Sequence, residues 1–156
     1  MISIKAKNSK RYDKQDVLKL VKALDSYFKP TLSQRVNLQE YVNKLDKYST
    51  MGLAYNDSDT LIGLIAFYDN DQDSKKAFIS ILGVLPNYQE QGIASMLMNE
   101  CIVKSKLSGM KELLVKTEVV NSKAIKFYNR IGFQEVEKLK EFGVEKIKLG
   151  LSLKNQ

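Results

Sequence analysis

The sequence contains no histidine, one cysteine and only two prolines in 156 residues. Without His there is no Ser-His-Asp triad, no imidazole base and no His-ligated metal. A single Cys can form neither an internal disulfide nor a thiolate metal cluster. That residue, Cys101, keeps helical register with Ile93, Leu97, Ala94 and Met98, the pattern of an inert core thiol rather than a nucleophile. No apolar run approaches the roughly 18 residues of a membrane span, and MISIKAKNSKRYDKQ lacks the apolar centre of a signal peptide. The expectation is a cytoplasmic chain without a metal, whose chemistry runs on backbone amides, carboxylates, hydroxyls, Tyr or Lys.

What is present is an ordinary globular composition, 44% apolar and 28% charged. The length suits one domain, here residues 1–156, large enough to bury a core. A net charge of +7 points towards an anionic partner. The Lys residues are interspersed with Asp and Glu, however, with no dense basic block or adjoining aromatic stripe, so a solvated lysine-rich surface accounts for most of the charge. Neither a nucleic-acid nor a membrane partner is expected.

Periodicity supplies an element order. Residues 1–7 alternate as a first strand. Val17, Leu20, Val21, Leu24 and Phe28 repeat at helical spacing from Asp16 to Phe28, and Pro30 stops the pattern. A second helix spans Leu38 to Tyr48. The period then changes: MGLAYNDSDTLIGLIAFY reads as two strands joined by NDSD, and AFISILGVL as a third after a polar loop. A long helix runs to Leu107, closed by Gly109, followed by the strand ELLVKTEV. A helix from Ser122 to Ile131 ends at Gly132 with Phe133 packing back, and two strands close the chain, around 133–139 and 145–153. The order predicts one α/β domain with a mixed sheet.

Two stretches carry chemistry. PNYQEQGIA, residues 86–94, joins a strand to the long helix and places Gly92 in its first turn. Unpaired N–H groups and the positive helix end make such a junction an anion site, and Gly92 lets a ligand approach the backbone. Neither a Walker string nor G-x-G-x-x-G is present, which leaves a plain helix start or another phosphate loop. The second stretch, NSKAIKFYNRIGF, holds Asn121 or Ser122 as a helix cap, Tyr128 as a core aromatic or a functional phenol, and Gly132-Phe133 as a helix stop.

Together, Gln89-x-x-Gly92-x-Ala94 and Asn121-x-x-Ala124-x-x-Phe127-Tyr128-x-x-x-Gly132-Phe133 resemble the paired signatures of the GCN5-related N-acetyltransferase (GNAT) superfamily. They occur in its order, each after an expected strand. The detailed resemblance covers residues 76–133. It implies a mixed, mostly antiparallel sheet flanked by helices, acetyl-CoA as co-substrate, and transfer of acetyl to a primary amine of a small molecule such as an amino sugar. A protein or peptide amine is the alternative within the family, and a non-catalytic basic binding module the alternative outside it. Homodimers are frequent in the superfamily.

The resemblance also assigns residues. Gln89, Glu90, Gln91, Gly92, Ile93, Ala94 and Ser95 form the pyrophosphate loop. Leu82, Gly83 and Val84 end the strand that pairs with the pantetheine arm. Asn121 and Phe127 lie beside the cofactor, and Tyr128 stands near the sulfur as general acid. A phenol with a pKa near 10 is protonated at neutral pH and suits that role. Ser80 takes the catalytic position where many relatives carry a Glu base, which leaves Glu118 as the nearest carboxylate. The loop at 27–35, with Tyr27, Phe28 and Arg35, is the expected acceptor wall.

Overall fold

The structure is a computed structural model and describes residues 1–28 and 30–154. Lys29, inside the expected acceptor loop, and the last two residues of the expected domain lie outside the described residues.

Seven strands form one sheet: β1 (Ser3–Lys5), β2 (Thr50–Tyr55), β3 (Leu61–Tyr68), β4 (Lys76–Val84), β5 (Glu112–Glu118), β6 (Gln134–Glu141) and β7 (Val144–Ser152). Their order is β1-β2-β3-β4-β5-β7-β6, antiparallel throughout except for the β4–β5 pair. The helices are α1 (Lys14–Leu24), α2 (Leu32–Arg35), α3 (Leu38–Tyr48), α4 (Ile93–Leu107) and α5 (Ser122–Ile131). This is the mixed, mostly antiparallel α/β architecture that the two motifs imply.

Strand alternation divides the core in two. Met51, Leu53 and Tyr55 of β2 face Val17, Val21, Val42 and Leu45 of α1 and α3, while Ala54 joins Leu97, Met98 and Cys101 of α4 on the other side. β3 has neighbours on both edges and apolar layers on both faces, and its residues Leu61 to Phe67 are all buried. Each such Leu or Ile side chain contributes about 1.5–3 kcal/mol. Cys101 is fully buried within this core, and burial raises its thiol pKa to about 12.

Several boundaries differ from the periodicity. The first helix stops at Leu24 and tightens into a 3-10 turn over Asp25–Tyr27, so Phe28 leaves the helical pattern in extended conformation. The Asp25 carboxylate explains the break, because it accepts from the backbone N–H of Ser33 and draws the chain into α2. α2 has too few apolar positions to show a period; its start is a capping box between Thr31 and Gln34. The first strand is shorter than 1–7, because only Ser3–Lys5 find partners on β2. α5 ends as expected: the N–H of Phe133 donates to the Tyr128 carbonyl at 3.0 Å, and the two rings meet edge to face at 5.3 Å.

Candidate active site

The site arises where the sheet comes apart. β4 and β5 run parallel but pair only at Lys76–Glu112, Ala77–Leu113 and Phe78–Leu114. Ser80 is a bulge, since Phe67 pairs with Ile79 and Ala66 with Ile81. A bulge bends its strand and increases the local twist. β5 meanwhile follows β7 in unbroken register to Glu118–Lys146. The strands therefore open into a wedge, and the Ile79–Val84 half of β4 has no ladder partner on the β5 side.

Two cavities of about 500 and 510 Å³ occupy the wedge, one towards α1–α3 and one towards α4. They share Leu82, Gly83, Val84, Gln89, Asn121, Ala124 and Tyr128 and so form one passage through the sheet. Gly83 is dictated by packing: a Cβ there would lie 2.6 Å from Cδ1 of Leu24. Its absence lets α1 close against the strand at the edge of the passage.

The α4-side cavity contains the loop. After a 3-10 turn over Pro86–Tyr88, the Gln89 side chain donates from Nε2 to the Val84 carbonyl at 2.9 Å, folding the loop back on the strand. The Tyr88 hydroxyl accepts from Nδ2 of Asn56 at 2.8 Å, which ties the loop to the β2–β3 turn. Glu90 adopts φ +62° and Gly92 φ +81°, both left-handed, as the loop turns into α4. No side chain caps α4, so Ile93, Ala94 and Ser95 present their N–H groups at its positive end. A Cβ on Gly92 would meet nothing within 4 Å. Glycine is needed there for its backbone conformation, and the space beside it is open.

Asn121 caps α5, its side-chain carbonyl accepting from the N–H of Ala124 at 3.1 Å, which leaves the amide NH2 for the passage. Tyr128 is 7% exposed and packs edge to face on Phe127 and Phe133. Its hydroxyl has no hydrogen-bond partner among the described residues. Burial, reinforced by Cys101, raises its pKa to about 12, so the phenol keeps its proton.

The α1–α3-side cavity takes Tyr27, Phe28 and Arg35 from the expected acceptor loop, with Tyr27 at the exposed rim. Ser80 reaches it engaged with Tyr41 of α3, the two hydroxyls 2.7 Å apart. Burial raises the Tyr41 pKa to about 12. Glu118 is half-buried at the end of β5 and lines the same cavity.

Sequence reasoning missed the rest of this wall: Tyr41, Lys116, Glu141, Phe142 and Lys146. Lys146 fell opposite the alternating Ile147, Leu149 and Leu151, the phase of a solvent face, and nothing local reveals that α1–α3 cover that face. Phe142 sits in the β6–β7 turn at φ +51°, rare for a bulky residue, and its ring stands over the Arg35 guanidinium at 5.7 Å. No cluster of three or more His, Cys, Asp or Glu suited to a metal occurs among the described residues, and no helix among them is long and apolar enough to cross a membrane.

The split sheet thus has an uncapped helix start on one side and a walled cavity on the other, with Tyr128 lining both cavities. The chain belongs to the acetyltransferase (GNAT) family, whose model matches residues 15–133. It is 29% identical over 101 residues to N-alpha-acetyltransferase 30 of Schizosaccharomyces pombe, covering 64% of this chain and 65% of that protein. The match thus spans less than two thirds of that relative's length. Against aminoglycoside N(6')-acetyltransferase type 1 of Acinetobacter haemolyticus it is 28% identical over 116 residues, 70% of this chain and 80% of the other. The fold is similar to that of a GNAT family acetyltransferase from Elizabethkingia anophelis solved with acetyl-CoA bound, with a TM-score of 0.70, 20% identity and 97% of each chain covered.

Proposed function

We propose that the protein is an acetyl-CoA-dependent N-acetyltransferase that moves an acetyl group directly to the primary amine of a small molecule. The observation that carries the reading is the passage itself, in which the cavity beside the uncapped α4 start and the cavity walled by the α1–α3 region share Tyr128. Acetyl-CoA fits the first. The amides of Ile93, Ala94 and Ser95 suit its pyrophosphate, and the unpaired edge of β4 at Leu82–Val84 suits the amides of its pantetheine arm.

The acceptor nitrogen attacks the thioester carbonyl as a neutral amine. As the C–S bond breaks, the CoA sulfur takes the Tyr128 proton, and the phenolate recovers a proton from solvent. The proton lost by the amine passes to Glu118, directly or through water. Ser80, fixed by Tyr41, orients the amine. A compact acceptor suits a cavity of about 500 Å³ walled by the α1–α3 region, the end of β5 and the β6–β7 turn. A peptide amine is the second reading, supported by the N-alpha-acetyltransferase relatives.

The test is a thiol-release screen with acetyl-CoA against amino sugars, polyamines, amino acids and peptides. Turnover is expected with a small amine. Turnover confined to peptides would establish the second reading, and none with any amine would refute acetyl transfer.

A further inference from the structure

The acceptor cavity contains positive charge that its neighbours do not neutralise. Lys146 of β7 lines it at only 9% exposure, with no hydrogen bond or ion pair among the described residues. Most of the Lys146 side chain is covered, and partial desolvation of its ammonium favours an anion beside it. Arg35 of α2 lines the same cavity, and its Nε is fully enclosed without a hydrogen-bond partner.

The surrounding carboxylates offset this only in part: Asp25 and Glu141 both feel the charge of Arg35, and Glu141 also that of Lys146. Lys116 and Glu141 answer each other at 2.7 Å. Glu118 lies opposite Lys146 in the β5–β7 ladder but forms no ion pair. The Lys146 pKa is lowered, first by burial and then by Arg35, against the opposing pull of Glu141 and Glu118 and with a further depression from Lys116. Arg35 and Lys146 thus add like charge to one cavity.

We propose that Arg35 and Lys146 form an oxyanion subsite in the acceptor cavity, so that the acceptor is a small primary amine carrying a carboxylate or a phosphate. This rests on the acetyl-transfer reading above. An oxyanion would accept from the terminal Nη groups of Arg35, which have no hydrogen-bond partner among the described residues, and would supply a counter-charge for Lys146; charge-assisted bonds of this kind are about twice as strong as neutral ones. Phe142 covers the guanidinium face, which leaves its N–H edge for the ligand. Glu118 remains to meet the amine end, so the cavity matches a molecule charged at both ends.

The experiment has two arms. In the first, thiol release is compared for amines matched in pairs: ethanolamine with O-phosphoethanolamine, glucosamine with glucosamine 6-phosphate, and leucine with leucinol. At least one oxyanion-bearing member should exceed its neutral partner by about tenfold in kcat/KM, with Arg35→Met and Lys146→Met each bringing that ratio close to one. The phosphate and carboxylate pairs show which group is preferred. Equal rates within every pair, or ratios unchanged in both variants, would overturn the subsite.

The second arm needs no turnover. Inorganic phosphate at constant ionic strength, with CoA present, should raise the Tm of the wild type and do so markedly less for Arg35→Met and Lys146→Met, while Lys146→Arg retains the effect. A shift absent from the wild type, or equal in all variants, would refute the subsite. A shift that depends on Arg35 and Lys146 in a protein that acetylates no amine would retain the subsite and reject the acetyl-transfer reading.

Discussion

Tyr128 is held by aromatic packing on Phe127 and Phe133, and its environment keeps the phenol protonated. Replacing it with Phe leaves the packing and removes one proton donor. Turnover should fall by about tenfold or more while acetyl-CoA affinity stays near the wild-type value; steady-state kinetics and calorimetry would show both. Because burial moves the ionisation up to about 12, the pH profile should rise as the acceptor amine deprotonates and show no descending limb from Tyr128 up to about pH 10. A fall between about pH 8 and 10 that disappears in Tyr128→Phe would contradict this. At this scale the motifs located residues that the structure places around the two cavities, such as Gln89, Gly92, Asn121 and Tyr128. The sequence was silent where a residue gains its role by being covered from elsewhere in the chain. Lys146 is the clearest case: identical strand positions are solvent-facing or cavity-facing depending on which helices lie above them.

At the level of elements, the loop before α4 combines conformation with open space. Gly92 at φ +81° would strain any L side chain by about 1 kcal/mol, yet no atom lies within reach of a Cβ. Gly92→Asn separates the two effects, because Asn tolerates positive φ. The variant should melt within about 4 °C of wild type but bind acetyl-CoA at least severalfold more weakly, as read by calorimetry. Wild-type affinity in a folded Gly92→Asn protein would move the cofactor away from this loop. The existence and type of α1, α3, α4 and α5 were legible from periodicity, with α3 and α5 matching it at both ends, whereas the four-residue α2 was not. Nor was the end of the first helix, because the cause is a carboxylate at Asp25 bonding to Ser33 rather than any loss of apolar period. The Ser80 bulge was equally invisible, since ISI in AFISILGVL alternates as any strand would.

The whole molecule depends on a sheet whose β1–β4 and β5–β7 portions meet through only three residue pairs. A ligand bridging the wedge would link those portions, so stability should rise on binding. Acetyl-CoA at about 100 times its Kd should add about 2.7 kcal/mol, or roughly 5–10 °C in Tm for a chain of this size. Calorimetric scans with acetyl-CoA and with acetate alone would test this, and no shift with acetyl-CoA would argue against cofactor binding in the wedge. The sheet's strand content was readable in advance, but its opening was not, because register is a relation between distant segments.

The wedge also divides the molecule by ancestry of change. Its α4 side draws on one continuous stretch, from β4 to the start of α4, together with α5. Its opposite wall is assembled from separated pieces: the α1–α3 region, the end of β5 and the β6–β7 turn. Substitutions can accumulate in those pieces one at a time without disturbing the loop at Gly92. If the proposed reading holds, the acceptor wall could change its choice of amine while the loop at Gly92 and the binding it provides stay as they are.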